Sequence, residues 1–289
     1  MALDTASYKI PVARTVADLR AQVSTWRLDG LRIGFVPTMG ALHEGHLSLV
    51  DLAAQQADKV VVSIFVNPTQ FAPSEDLDAY PRTEPEDAAK LASRPCDLIF
   101  GPNGAEMYPD GYDLQVSVGG VSTGLETDHR PHFFGGVATV VAKLLVQVAP
   151  DVAVFGEKDY QQLQVIKKLV RDMSLPVDIV GGPTVREPDG LAMSSRNAYL
   201  SNEERKQAVQ LSVALREVSR RIAAGTPIDE AQELGITILR NAGFNSIDYL
   251  EVRDADTLGL LSKASKARRV LAAAKLGKTR LIDNIALEI

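Results

Sequence analysis

Apolar residues along this chain fall into two rhythms. Short continuous runs at 31–36, 59–66, 97–100, 152–155 and 177–180 are rich in β-branched residues and show no alternation. Strands buried on both faces of a parallel sheet read this way, because neither face meets water. Between them, apolar residues recur at three- and four-residue spacing: from Val12 to Leu28 with Thr15 as a capping residue, through Leu47, Leu49, Val50 and Leu52, at 84–92, at 137–148 and from Asp159 to Arg171. These predict helices. The alternation continues to about residue 182 and predicts an α/β domain with a parallel sheet. Residues 114–118 alternate and predict one further strand, and 119–136 form a long irregular segment of the kind that is usually functional. Gly181-Gly182-Pro183 marks a change of pattern. Beyond it come amphipathic helices at 202–224 and 228–242 and strands at 247–252, 269–276 and 280–287, the last two joined by a turn at Gly277-Lys278. The expected organisation is two domains, 1–183 and a smaller α+β domain at 184–289.

Composition narrows the classes. The chain has 289 residues, 45% hydrophobic and 24% charged, with a net charge of −6. The sequence pI is about 5.3. A balance this acidic argues against extended binding to nucleic acid or to an anionic membrane. No apolar run is long enough to span a membrane, and the first residues carry no apolar signal core. Cys96 is the only cysteine, which excludes an intrachain disulfide and agrees with a reducing cytoplasm.

Candidate chemistry gathers at strand ends. The run Pro37-Thr38-Met39-Gly40-Ala41-Leu42-His43-Glu44-Gly45-His46 joins a predicted strand to a predicted helix. A helix start offers unpaired N–H groups and a positive dipole end, a natural seat for an anion. His43 and His46 fall on one face of that helix, and Gly40 and Gly45 allow close backbone approach. The run is neither a dinucleotide fingerprint nor a Walker loop. A His-x-x-His metal pair, or two helix-capping histidines, explains the same four residues. Asn67 and Gln70 follow the second strand, where ligands of open α/β sheets gather. Gly156-Glu157-Lys158-Asp159 repeats the strand-to-helix setting, with Lys158 as a mobile cation and Gln162 one turn further on. Asp159 is equally an ordinary helix cap, and the Lys158–Gln162 pair an ordinary surface pair. Met193-Ser194-Ser195-Arg196 sets two hydroxyls beside a guanidinium, which suits phosphate; a serine cap with an exposed arginine is the plain alternative. Taken together, the three clusters ask for a nucleoside triphosphate.

At this point the residues carry a resemblance. His43-Glu44-Gly45-His46 is the His-x-Gly-His signature of adenylyl-transferring enzymes related to class I aminoacyl-tRNA synthetases. The runs at 37–46, 63–71, 76–83, 155–163 and 190–197, in that order, resemble the pantoate–β-alanine ligase (pantothenate synthetase) family over nearly the whole chain. The resemblance implies a Rossmann-like domain carrying the active site and a smaller C-terminal lid. It implies that ATP activates pantoate as pantoyl adenylate, releasing pyrophosphate, and that β-alanine then displaces AMP to give pantothenate. It implies Mg²⁺ on the ATP phosphates, a cytoplasmic enzyme and a homodimer. By position it makes Met39, Gly40, Ala41, Leu42, His43, Glu44, Gly45, His46, Gly156, Glu157, Lys158, Asp159, Val185, Met193, Ser194, Ser195 and Arg196 contacts of ATP. His46 is the catalytic histidine, with His43, Lys158 and Arg196 as further donors to the charge that develops on phosphate. Gln70 and Gln162 hold pantoate. No metal ligand is assigned: Glu86 and Asp87 could meet Mg²⁺ through water, or simply lie on a solvated helix. His129 and His132 read as structural or as part of a mobile loop.

Three rivals remain at this level. A nucleotidylyltransferase would keep AMP in its product. A class I aminoacyl-tRNA synthetase would be longer and more basic. A regulatory nucleotide-binding module would not need His43, His46, Lys158 and Arg196 together.

Overall fold

The computed structural model describes residues 8–73, 75 and 77–287. The start of the N-terminal stretch read for a signal core, and Asp76 within the run 76–83, lie outside the described residues. In chain order the strands and helices are β1 (Val12–Ala13), α1 (Val16–Leu28), β2 (Ile33–Thr38), α2 (Glu44–Ala54), β3 (Lys59–Ile64), α3 (Glu84–Leu91), β4 (Leu98–Phe100), α4 (Gly104–Met107), α5 (Glu126–His129), α6 (Phe133–Val148), β5 (Val152–Gly156), α7 (Tyr160–Asp172) and β6 (Asp178–Gly182). Then follow α8 (Asn202–Ala208), α9 (Gln210–Ala223), α10 (Ile228–Asn241), β7 (Ser246–Asp254), β8 (Arg268–Leu276) and β9 (Thr279–Leu287). Contacts group these into two compact units. One holds Met1–Gly119, Arg130–Glu157 and Val165–Pro183; the other holds Gly120–His129, Lys158–Gln164 and Thr184–Ile289.

The first unit is built on a six-stranded sheet of order β1-β4-β3-β2-β5-β6, parallel throughout. The predicted strands are there because both faces are covered. Val36, Val60, Val62, Val152 and Val154 pack in one cluster with Leu47, Val50 and Ala53 of α2 and Ala88 and Leu91 of α3. The intervening Phe35, Val61 and Ala153 are equally buried, and α6 packs against β2 on their behalf. Each fully buried valine or leucine contributes about 1.5–3 kcal/mol. Gly182, read as part of a boundary, also has a packing reason: a Cβ there would lie 2.2 Å from Leu49 Cδ2.

Strand order positions the site. The chain runs from β2 outward to β3 and β4, then resumes at β5 on the other side of β2. Gly34 and Phe35 pair with Val152 and Ala153 at that reversal. A crevice opens outside the carboxyl ends of strands where the order reverses. The histidine motif follows β2, and Gly156 ends β5.

The second unit carries an antiparallel sheet of order β7-β8-β9, with α9 and α10 packed on it. Leu276 pairs with Thr279 across the predicted two-residue turn, and Gly277 there takes φ 58°. The single helix expected at 202–224 is two, interrupted at Val209, whose own backbone stays helical. Residues 114–118 join no strand.

Candidate active site

The loop after β2 is shaped by hydrogen bonds that reach far along the chain. Thr38 Oγ1 donates to the Ser63 carbonyl at 2.7 Å and accepts from the Gly40 N–H at 3.2 Å. Gly40 and Ala41 then both turn left-handed, at φ 81° and 51°. Glycine is required at the first position: a Cβ would lie 3.1 Å from Asp87 Oδ2 and 3.2 Å from Ile64 Cγ2. The N–H groups of Ala41 and Leu42 donate to Asp87 at 2.8 and 2.7 Å. Lys90 donates to the Leu42 carbonyl at 2.6 Å.

The two histidines cap their own helix. His43 is the N-cap of α2 in extended conformation, and its Nδ1 accepts from the Gly45 N–H at 3.1 Å. His46 Nδ1 accepts from the His43 N–H at 3.4 Å, closing a capping box. The two rings lie 4.1 Å apart. A ring nitrogen that accepts a bond carries no proton, so each neutral imidazole keeps its proton on Nε2. Each can therefore donate to a phosphate oxygen. Sequence reasoning expected unpaired backbone N–H groups here. The structure gives those of Ala41, Leu42, His43 and Gly45 partners within the protein, so anion recognition passes to the side chains. The capping alternative weighed above is also real, and it fixes the tautomer that donation needs.

Beyond β3, a buried amide chain presents Gln70. Asn67 is 1% exposed. Its Oδ1 accepts from Tyr108 OH at 2.6 Å and from Thr69 Oγ1 at 3.0 Å. Burial raises the Tyr108 hydroxyl above its ordinary value, which keeps it a donor. Asn67 must then donate through Nδ2, which it does to Gln70 Oε1 at 3.1 Å and to the Gly136 carbonyl at 3.3 Å. The Gln70 NH₂ is then a donor, and it lies 3.1 Å from Met39 Sδ. Asn67 was expected as a polar contact; that it orients Gln70 through Tyr108 was not, and no sequence spacing announces Tyr108.

The remaining expected residues divide between the units, with Gly156 and Glu157 in the first and the others in the second. Lys158 Nζ lies 3.8 Å from Asp159 Oδ2. Its carbonyl accepts from Asn284 Nδ2 at 2.8 Å. Gln162 is half-buried, while its neighbour Gln161 is buried and tied to the carbonyls of Val121 and Gly124. Val185 and Met193 come together through a hydrogen bond from the Met193 N–H to the Val185 carbonyl at 3.0 Å. Ser194 caps the 3₁₀ turn Ser195–Tyr199 by accepting from the Arg196 N–H at 3.3 Å. Met193, Ser194, Ser195 and Arg196 are all half-buried.

Among the described residues, no group of three or more His, Cys, Asp or Glu side chains could hold a metal. Glu86 is exposed, as a solvated helix face requires. Asp87 is 0% exposed, so the solvated reading fails for it. In the second unit His129 Nδ1 lies 3.9 Å from Asp248; in the first, His132 Nε2 lies 4.0 Å from Glu75.

Comparison with known proteins agrees with this geometry. The family model for pantoate–β-alanine ligase matches residues 11–286. The pantothenate synthetase of Caulobacter vibrioides is 56% identical over 279 residues, covering 96% of this chain and 98% of that protein. That of Mesorhizobium japonicum is 58% identical over 278 residues, with 96% and 98% covered. A solved pantothenate synthetase from Thermus thermophilus superposes with a TM-score of 0.90 at 45% identity, covering 96% of this chain and 99% of that one. The pantoate–β-alanine ligase of Francisella tularensis, complexed with beta-gamma ATP and β-alanine, gives 0.81 at 35% identity, covering 96% and 98%. Matches of this extent, on a sheet whose reversal point carries the histidine motif, place the chain in the pantoate–β-alanine ligase family.

Proposed function

We propose that this ligase, which joins pantoate to β-alanine at the expense of ATP, works through a pantoyl adenylate and releases AMP and pyrophosphate. The observation that carries the reading is the pair of imidazoles whose Nδ1 atoms are both held by backbone N–H groups. Each presents Nε2–H beside the sheet reversal, where the phosphates of a nucleotide belong. The pantoate carboxylate is already a nucleophile, so attack on the α-phosphorus needs no base. Negative charge grows on the phosphate oxygens and the departing pyrophosphate. His46, His43, Lys158 and Arg196 donate to it, and donors fixed in advance stabilise such charge without reorganising. Met39, Gly40, Ala41, Leu42, Glu44, Gly45, Gly156, Glu157, Asp159, Val185, Met193, Ser194 and Ser195 line the nucleotide. Gln70 and Gln162 hold pantoate through neutral amides. For Gln70, whose carbonyl oxygen is taken by Asn67, the NH₂ is the group that suits a carboxylate or hydroxyl oxygen.

Mg²⁺ accompanies ATP in this proposal. Among the described residues no three His, Cys, Asp or Glu side chains gather as a metal cage, which fits an ion carried on phosphate oxygens and water. It supplies charge neutralisation on the outer phosphates. The ATP substrate supports a cytoplasmic setting. Residues 114–118, which alternate like a strand but join none, and Leu114 at 56% exposure, support a homodimer.

Product analysis tests the chemistry. With ATP, pantoate and β-alanine, the expected nucleotide product is AMP, and a label in the pantoate carboxylate should appear in that AMP. One carboxylate oxygen becomes the bridge to phosphorus, so the label must follow. ADP as product would mean an acyl phosphate route and would contradict the proposal.

A further inference from the structure

We infer that Asp87 is a positioning residue for the adenylation step, holding the His43 and His46 donors in place through the backbone of the loop before them. The inference rests on the roles proposed above for those histidines. Asp87 lies on α3, 46 residues beyond Ala41 in sequence, and is 0% exposed. Its two oxygens are both committed to the loop: Oδ2 accepts from the Ala41 N–H at 2.8 Å and Oδ1 from the Leu42 N–H at 2.7 Å. Thr83 Oγ1 adds a third bond to Oδ2 at 3.2 Å. Three residues on, Lys90 holds the Leu42 carbonyl at 2.6 Å. The loop is thus fixed at donor and acceptor together, immediately before His43.

The backbone needs that hold. Ala41 sits left-handed at φ 51°, a conformation an L-residue with a Cβ adopts against steric resistance. Gly40 approaches Asp87 so closely that no side chain fits between. Only a carboxylate satisfies the arrangement. An asparagine has one acceptor oxygen and would turn its NH₂ against either Ala41 or Leu42, leaving a buried donor unpaired. The effect of Asp87 on the reaction passes through the imidazoles, because the loop it holds leads directly into the capping box. A donor displaced by about 1 Å can cost about 10²-fold in rate.

A double-mutant cycle on pantoate-dependent ATP–pyrophosphate exchange tests this. The purified full-length protein, D87N, H46A and D87N/H46A are compared at saturating and at limiting ATP. For D87N we expect kcat to fall by about 10²-fold with the KM for ATP nearly unchanged. We expect the double variant to fall short of the product of the two single losses, because part of what the loop positions, His46, is already gone. Raised Mg²⁺ should restore nothing. A folded D87N at the wild-type rate, losses that multiply in the double variant, or recovery at high Mg²⁺ would each overturn the inference. H46A at the wild-type rate would remove the histidine assignment, and this inference with it; D87N alone at the wild-type rate removes only the inference. Should circular dichroism show D87N unfolded, K90M enters the same cycle. A smaller loss without His46 than with it supports the inference, and an equal loss in both backgrounds overturns it.

Discussion

At the scale of single residues, the donors differ in how they are made. The imidazoles become donors because the backbone occupies their Nδ1 atoms, and Gln70 because Asn67 occupies its carbonyl oxygen. Arg196 needs no such arrangement: a guanidinium only donates. Two parallel bonds to phosphate should make it matter both for ATP binding and for the first chemical step. Arg196→Ala should lower kcat/KM for ATP by an amount corresponding to about 1.5–3 kcal/mol, roughly 10- to 150-fold. Arg196→Lys should recover only part of this, since an ammonium cannot fork. Stopped-flow binding with single-turnover adenylate formation reads both quantities, and unchanged values for the alanine variant would remove the 193–196 run from the site. The histidines, Gln70, Lys158 and Arg196 could be proposed from the sequence because each stands in a local motif, the first three of them just after a strand. Asp87 and Tyr108 could not. Each acts across a long stretch of chain, 46 residues to Ala41 and 41 to Asn67, and a carboxylate on a short helix looks solvated until its burial is seen.

At the scale of elements, the parallel strands were legible because both faces are apolar, and His43, His46, Gln70 and Gln162 all lie in the segments that follow strands β2, β3 and β5. Residues 114–118 show the limit of periodicity: alternation makes a segment able to pair, but pairing needs a neighbour. The split at Val209 was hidden for a related reason, since the apolar spacing continues through it. One contact between elements bears directly on the site. Gly136 on α6 lies against the turn that carries Asn67 and Gln70, and a Cβ there would fall 2.4 Å from the Thr69 carbonyl oxygen. That oxygen is backbone and cannot swing aside. Gly136→Ala should therefore destabilise the protein by about 1–3 kcal/mol and raise the KM for pantoate, because the turn must move. Urea denaturation and pantoate kinetics check this together. Wild-type stability and wild-type KM would mean the close approach is not maintained in solution.

At the scale of the whole molecule, the residues proposed for the reaction are distributed over both units. We keep 183/184 as the proposed covalent boundary between domains, while grouping by contact also gathers 120–129 and 158–164 with the C-terminal unit. Lys158 is thereby tied to β9 through Asn284, a link that sequence order conceals because 126 residues separate the two. The proposed order of chemistry follows from which substrates the assigned groups touch. Those proposed for the first step are assigned to ATP and pantoate, and none needs the amine. Isotope exchange between labelled pyrophosphate and ATP is the direct measurement of this. The account predicts exchange that requires pantoate and Mg²⁺ and proceeds without β-alanine. Exchange that appears only when β-alanine is present would contradict the stepwise adenylate, and exchange without pantoate would contradict the assignment of the attacking carboxylate.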